Sequence, residues 1–511
     1  MLSFVATAWL ALQWLMPLIE GTNGQTTNPP NIVMVLADDL GWNDVSWHNS
    51  IVQMPNLQDL AERGVILEHA YAQEKCTPSR AAFLTGRYPI NTGMQEEVVV
   101  ATQMSGLPIE FKLLPSYLKD QGYATHMIGK WHVGYCDEAY TPTRRGFDSH
   151  YGFYNSGISY SNYSSTEGTD VGYDYRDDLA LNLAAEGKYT TTDFTQAKTL
   201  IDNHDQTNPM FLYMAYNAPH TPFEVDESYR NIYDGNLRDG NRKTYLGMIS
   251  ALDEQVGQLV DKLKEVGMWS NTVSSTPTNG GTQPQSGQSG NNFPLRGKKG
   301  SLFEGGYRVP AFVHSELITT PYTHDGLFHI SDMFATFIAL AGGDAAVPAD
   351  IDGINAWPAI SGNTPSPRTT LVYNIITKNF ANNARNTEPK AAIRDLQYKL
   401  IEGNPGGGEL ELGGWIPPPE NRVDNLLKPN VNYYADPVTG TWYYLFDLIA
   451  DPYETNNIAA SEPTLLNEMI TWLTAEKRSS RRRHAIDNTK DVTAIPSLNG
   501  GSWNPGFCVA T

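Results

Sequence analysis

Three cysteines in 511 residues, Cys76, Cys136 and Cys508, are too few for disulfides to hold this chain together. Its stability has to come from a buried apolar core, and the odd number leaves a thiol outside any internal pairing. Basic charge is scarce as well: 36 Lys and Arg stand against 56 Asp and Glu, a formal net charge of -20. No basic stripe offsets that excess, and the one dense run, "KRSSRRRH" from Lys477 to His484, is short and late, which argues against a nucleic-acid binder. Long hydrophobic runs are missing after the N-terminal segment, so no stable membrane insertion is expected.

The opening "MLSFVATAWLALQWLMPLIEGTNGQ" is apolar, too short to span a bilayer comfortably, and followed by small and polar residues. Residues 1–24 read as a cleaved signal peptide, with an uncleaved anchor as the alternative because a basic leading region is absent. A mature protein soluble in the secretory pathway, secreted or held in a lysosome-type compartment, is expected. Asn162-Tyr163-Ser164 is an N-glycosylation sequon in a Tyr-, Ser- and Gly-rich stretch that reads as surface loop.

What is present is a repeated grammar of helix, turn, apolar strand, then polar residues at the strand's end. "NIVMVLADDLGWND" ends a strand in Asp38 and Asp39; a second unit ends in Lys130 and His132; a third runs from Met210 to Tyr216 and then reaches His220. Strands alternating with helices predict an α/β fold with a mostly parallel sheet covered on both faces, and ligands of such sheets bind at the carboxyl ends of the strands. Apolar residues at helical spacing from Thr244 to Val266 predict a long packing helix. After about Pro367 the pattern alternates as antiparallel strands do and closes on one helix, which predicts a catalytic domain over 28–367 and a smaller α+β domain with an antiparallel sheet over 368–511.

"CTPSRAAFLTGR" is the most specific stretch. Pro78 suits the first turn of a helix and Gly86 its end, which puts Cys76 at a helix amino terminus where an anion is favoured, with Arg80 one turn on and on the same face. The stretch resembles the signature of the type I sulfatases, and the likeness extends through "ADDLGWNDVSWHNS", "GKWHVG", "TPTRRGFDSHYGF", "APHTPF", "NNFPLRGKKGSLFEGGYRVPAF" and "LFDLIADPYETNNIA". Within that family the blocks "ADDLGWNDV", "TPTRRGFD" and "NNFPLRG" are most similar to the N-acetylgalactosamine-4-sulfatase, or arylsulfatase B, branch.

The resemblance implies an alkaline-phosphatase-like large domain and a sulfuric ester hydrolase. Cys76 would be oxidised to Cα-formylglycine by the formylglycine-generating enzyme, and its hydrate would supply the nucleophile. Asp38, Asp39, the modified Cys76 and Asn279 would bind Ca2+; Arg80 and Lys130 would hold the diol and sulfate; His132 would take a proton from the sulfated intermediate. His220 and Lys299 would bind sulfate and protonate the leaving oxygen, Lys298 being the alternative to Lys299. The partner implied is a sulfated small molecule or glycan. Taken singly, His132 or His220 would be structural histidines.

One stretch departs from the family. A pattern like "NTVxIFxSDNGG" is expected, and the chain reads "NTVSSTPTNGG" from Asn271 to Gly281. Thr278 stands where an acidic calcium ligand belongs, and Ser274 to Pro277 stand where a buried strand needs apolar side chains and amide protons. Codons TTC ATC TAC TCC GAC, for Phe-Ile-Tyr-Ser-Asp, read one base out of frame give Ser-Ser-Thr-Pro-Thr, so a pair of compensating slips would produce this segment. Metal affinity and activity are expected to be reduced if it is genuine, and a catalytically impaired sulfatase-fold matrix or binding protein is then the alternative. A phosphate ester hydrolase is a third reading, disfavoured by the cysteine signature.

Overall fold

The computed structural model describes residues 29–510 except 96, 192, 194, 238, 283–288, 377–388, 407–413, 419–432 and 480–488. The expected signal peptide, and most of the basic run after Lys477, lie outside the described residues.

Strand β1 (Asn31–Leu36) is buried along its whole length. Its side chains alternate between two cores: Ile32, Met34 and Leu36 meet Phe83, Leu114 and Phe334 on one face, while Val33 and Val35 meet Leu57, Tyr245 and Leu252 on the other. A central parallel strand therefore reads as a continuous apolar run. Around it lie β2 (Val65–Tyr71), β3 (Ala124–Lys130), β4 (Ser149–Phe153), β5 (Met210–Ala215), β6 (Thr272–Thr276), β7 (Phe312–His314) and β8 (Tyr322–His329). The parallel run has the order β6-β1-β5-β3-β4. β7 and then β2 extend it antiparallel beyond β6, and β8 pairs parallel with β2.

Helices α1 (Pro55–Glu62), α2 (Cys76–Thr85), α3 (Leu114–Asp120), α4 (Gly240–Glu265) and α5 (Ile330–Gly342) cover the sheet, α2, α3 and α5 on one face and α1 and α4 on the other. The long predicted helix is α4, started four residues earlier by Asp239, whose side chain accepts from the amide of Arg242. Among the described residues no helix is long and apolar enough to cross a membrane.

The Ser-Ser-Thr stretch is strand β6, held in the middle of the sheet with every residue buried. Neighbours β1 and β7 impose the conformation that the polar sequence does not ask for. Its mismatch shows in two places. Thr276 Oγ1 is buried with no hydrogen-bond partner among the described residues. The ladder with β1 runs from Asn31 to Met34 and resumes only at Ala37 opposite Thr278; the interruption falls where Pro277 has no N–H to give.

A second, antiparallel sheet contains β9 (Leu371–Ile376), β10 (Lys390–Arg394), β11 (Tyr398–Gly403) and β12 (Trp442–Asp447). One face packs α6 (Pro463–Ser479) through Leu466, Met469 and Leu473. The other face meets the large sheet through Tyr373, Ile401 and Phe446 against Tyr71, Phe303 and Tyr307. Within that apolar seam Glu304 accepts from Lys399 at 2.8 Å, Tyr373 at 2.6 Å and Tyr71 at 2.6 Å. The same Lys399 ammonium lies 2.8 Å from Glu454.

Residues 489–510 then return to the large sheet. Trp503 enters its core and donates to the Ser165 carbonyl at 3.1 Å, and Cys508 forms a disulfide with Cys136 across 372 residues of sequence. Cys508→Ser is expected to lower stability by about 2–4 kcal/mol, because closing a loop of that length restricts the unfolded chain. Urea unfolding checks this, with reduced parent protein expected to match the variant.

Two core histidines make the fold sensitive to acid. His150 in β4 contacts the Gly129 carbonyl through Nε2 at 3.2 Å, and His314 in β7 stacks on Trp269 at 5.2 Å. In both, Nδ1 is buried without a hydrogen-bond partner among the described residues, and burial pushes each imidazole down to about 4. The unfolded chain, titrating near 6.5, binds more protons below that pH, so this contribution is intact above about 6.5 and lost as pH falls toward 4. Going from pH 7 to pH 5 should cost about 2 kcal/mol per histidine. Denaturant midpoints at the two pH values test this; His314→Phe should lose less than the parent over the same step.

Candidate active site

The charged residues that end separate strands converge at the carboxyl edge of the parallel run, as the topology requires. β1 delivers Asp38 and Asp39, α2 begins at Cys76, β3 ends at Lys130, the loop after β5 carries His220, and the chain after β6 brings Asn279 and later Lys299.

Asp38 is fully buried. One oxygen accepts from Asn279 Nδ2 at 2.6 Å and from Cys76 Sγ at 3.2 Å. The other is paired with Lys130 and lies 3.6 Å from Arg80. Burial alone would raise this carboxyl, but Lys130, His220, Arg80 and Lys299 hold it well below the usual carboxylate range. Asp39 sits at φ 62°, a left-handed conformation uncommon outside glycine. Both its oxygens accept from Lys299 Nζ at 2.6 Å, and its amide donates to Asn279 Oδ1 at 3.1 Å.

Cys76 is buried at the start of α2 with its thiol 3.4 Å from Lys299 Nζ; burial, reinforced by Asp38, pushes that thiol up. Burial would lower Lys299, yet Asp39, Cys76 and Asp38 outweigh it and hold the ammonium above the ordinary lysine range. Of the two adjacent lysines it is Lys299 that reaches the cluster. Arg80 donates to the Lys130 carbonyl at 2.6 Å and keeps Nε and Nη2 without a hydrogen bond among the described residues. Nη2 is directed to Asp38 at 3.6 Å.

His132, at φ 57°, contacts the Val99 carbonyl through Nε2 at 3.1 Å, and its Nδ1 is buried without a hydrogen-bond partner among the described residues. Burial, then Lys130 and Arg80, hold it neutral. His220 contacts the Thr221 carbonyl through Nδ1 at 2.7 Å and presents Nε2 3.7 Å from Asp39; burial and Lys130 push it down. All the sequence-predicted site residues thus gather here, His132 on the wall rather than in the ligand cluster.

Thr278 does not join them. Its buried hydroxyl donates to the Ala37 carbonyl at 3.2 Å and accepts from the Leu40 amide at 3.3 Å. The sequence pattern did not reveal a support behind the cluster. Tyr245 on α4, expected only to pack, lies 2.9 Å from both the Asp39 carbonyl and Asp44, and Asp44 is ion-paired with Arg242 at 2.5 Å. This buried strap fixes the strained turn at Asp39; the acidic end of "GWND" was the only hint of it.

A mostly parallel sheet with an arginine, lysines and two carboxylates gathered at its carboxyl edge is the arrangement of a hydrolase of anionic esters with the alkaline-phosphatase-like fold. A sulfatase family model matches residues 30–343. Arylsulfatase J of Mus musculus is 37% identical over 506 residues, covering 95% of this chain and 81% of that protein. N-acetylgalactosamine-6-sulfatase of Homo sapiens is 30% identical over 366 residues, covering 68% of each chain. The crystal structure of Ps i-CgsB in complex with k-i-k-neocarrahexaose superposes with a TM-score of 0.72 at 29% identity, covering 91% of this chain and 96% of that one. The chain belongs to the sulfatase family, the hydrolases of sulfate esters.

Sulfatases generally use formylglycine and Ca2+, and the residues present fit both. Asp38 and Asp39 bring carboxylate oxygens, the donors a hard cation takes, and Asn279 lies against both, its Nδ2 donating to Asp38 and its Oδ1 accepting from the Asp39 amide. Cys76 lies against them at a helix start, next to an ammonium able to hold an oxyanion.

Proposed function

We propose that the chain hydrolyses sulfate esters of a carbohydrate, with aryl sulfates as surrogate substrates, through Cys76 converted to Cα-formylglycine. The observation that carries this reading is the convergence of Cys76, Arg80, Lys130, Lys299 and His220 on the buried Asp38 and the half-buried Asp39. When formed, the hydrated aldehyde supplies the attacking oxygen, and Ca2+ held by Asp38, Asp39, Asn279 and residue 76 supplies positive charge at the sulfate. Arg80 and Lys130 hold the anionic group and keep Asp38 ionised. His132, neutral and with a bare Nδ1, takes the proton whose removal lets sulfate depart. Lys299 and His220 stand where the leaving alcohol oxygen needs a proton.

The same reading sends the chain through the secretory pathway, to the outside or to a lysosome-type compartment, with a signal peptide at 1–24, a glycan on Asn162 and oxidation of Cys76 by the formylglycine-generating enzyme. It assigns residues 28–367 to the catalytic domain and 368–511 to the smaller one. The names of the relatives support a glycan substrate, and the likeness to N-acetylgalactosamine-4-sulfatase rests on the sequence blocks. Thr278 favours one other reading, an impaired sulfatase serving as a matrix or binding component.

Mass spectrometry of the Cys76 peptide, followed by sulfate release from a chromogenic aryl sulfate with added Ca2+, separates the two. Turnover by converted protein is expected; full conversion with no turnover would favour the binding component.

A further inference from the structure

Asp38, Asp39, Cys76 and His220 each bring a ligand atom to within 4.8 Å of the others. We propose that the folded chain whose Cys76 is still a thiol binds one Zn2+ there, through Cys76 Sγ, His220 Nε2 and one oxygen from each aspartate, and that conversion of Cys76 before folding hands the site to Ca2+. The zinc site concerns the unmodified chain; the handover to Ca2+ rests on the conversion of Cys76 proposed above.

A tetrahedral zinc with sulfur at about 2.3 Å and nitrogen and oxygen at about 2.0–2.1 Å needs ligand atoms about 3.3–3.6 Å apart. Two edges already lie near that: Sγ to Asp38 Oδ1 at 3.2 Å and His220 Nε2 to Asp39 Oδ2 at 3.7 Å. The Thr221 carbonyl, 2.7 Å from His220 Nδ1, accepts a hydrogen bond from Nδ1–H and leaves the Nε2 lone pair turned to the carboxylates, the arrangement of a metal-binding histidine. A cation already resides in the cluster, since Lys299 Nζ is 2.6 Å from both Asp39 oxygens and 3.4 Å from Sγ. Zinc entry displaces that ammonium, breaks the S–H bond, forms Zn–S and releases the thiol proton to solvent. A mixed sulfur, nitrogen and oxygen set suits Zn2+, whereas Ca2+ takes oxygen ligands. Replacing Sγ by oxygen therefore removes the ligand that favours zinc.

The test uses full-length protein made without the converting enzyme, its thiol verified by mass, titrated with Co2+ and Zn2+. With Cys136 and Cys508 paired, Cys76 is the free thiol, so one equivalent of Co2+ should raise a thiolate-to-cobalt charge-transfer band that Zn2+ bleaches, with about one proton released. Cys76→Ser should lose the band and bind Zn2+ weakly while still binding Ca2+. His220→Gln should lower zinc affinity by more than the about 10- to 100-fold typical of a lost outer partner. Absence of the band, or zinc affinity unchanged in both variants, overturns the site. Converted protein that binds Zn2+ as tightly as the thiol form overturns the handover.

Discussion

Thr278→Asp is expected to raise Ca2+ affinity about 10-fold or more, because affinity in oxygen sites follows the count of charged ligands, and to raise aryl sulfate turnover with it. Two carboxylates, Asp38 and Asp39, now face the fixed positive charges of Arg80, Lys130 and Lys299, so a divalent cation enters a cluster already one charge to the positive. An aspartate at 278 would keep the bond from the Leu40 amide, give up the one to the Ala37 carbonyl, and balance the cluster before the metal arrives. Isothermal titration with Ca2+ and turnover across Ca2+ concentrations measure the two effects. Unchanged affinity would place position 278 outside the cation's ligands and remove the case for an altered gene. Independent genomic reads across codons 273 to 280 address the altered gene directly.

Lys399→Met should destabilise the protein by about 3–5 kcal/mol, the usual result of removing one partner from a buried ionic group. Glu304 and Glu454 share that single ammonium inside the seam between the sheets. Against the burial that would raise it, Lys399 and Arg394 hold Glu304 below the carboxylate range, whereas burial pushes Glu454 up. Without Lys399 both carboxyls gain by taking protons, so the deficit should be largest near neutral pH and shrink on acidification. Urea midpoints at two pH values read this, and Lys399→Met combined with Glu454→Gln should recover part of the loss.

Strands β1 and β5 were legible because a short, unbroken apolar run fits the middle of a parallel sheet and little else, and β3, which carries Thr125 and His126, through the helix and turn before it and the Lys130 that ends it. The antiparallel second sheet was legible from its alternation. β6 was legible only through its flanks, since Ser274 to Thr276 carry no strand signal of their own and take their conformation from β1 and β7. Tyr245, Asp44 and Arg242 escaped notice because their role depends on partners about 200 positions away in sequence. Glu304 and Lys399 escaped for the same reason. Pairing of Cys136 with Cys508 could be suggested only by setting Cys76 aside for modification.

The return of residues 489–510 also has a meaning in time. Trp503 fills the core that contains α2, and the Cys136 disulfide waits for Cys508, so a ribosome must have made residues 489–510 before the large domain can close. Cys76 is 1% exposed once that closure is complete. Any enzyme that acts on its thiol has to work on the growing or newly released polypeptide, and the late arrival of the last segment sets how long that opportunity lasts.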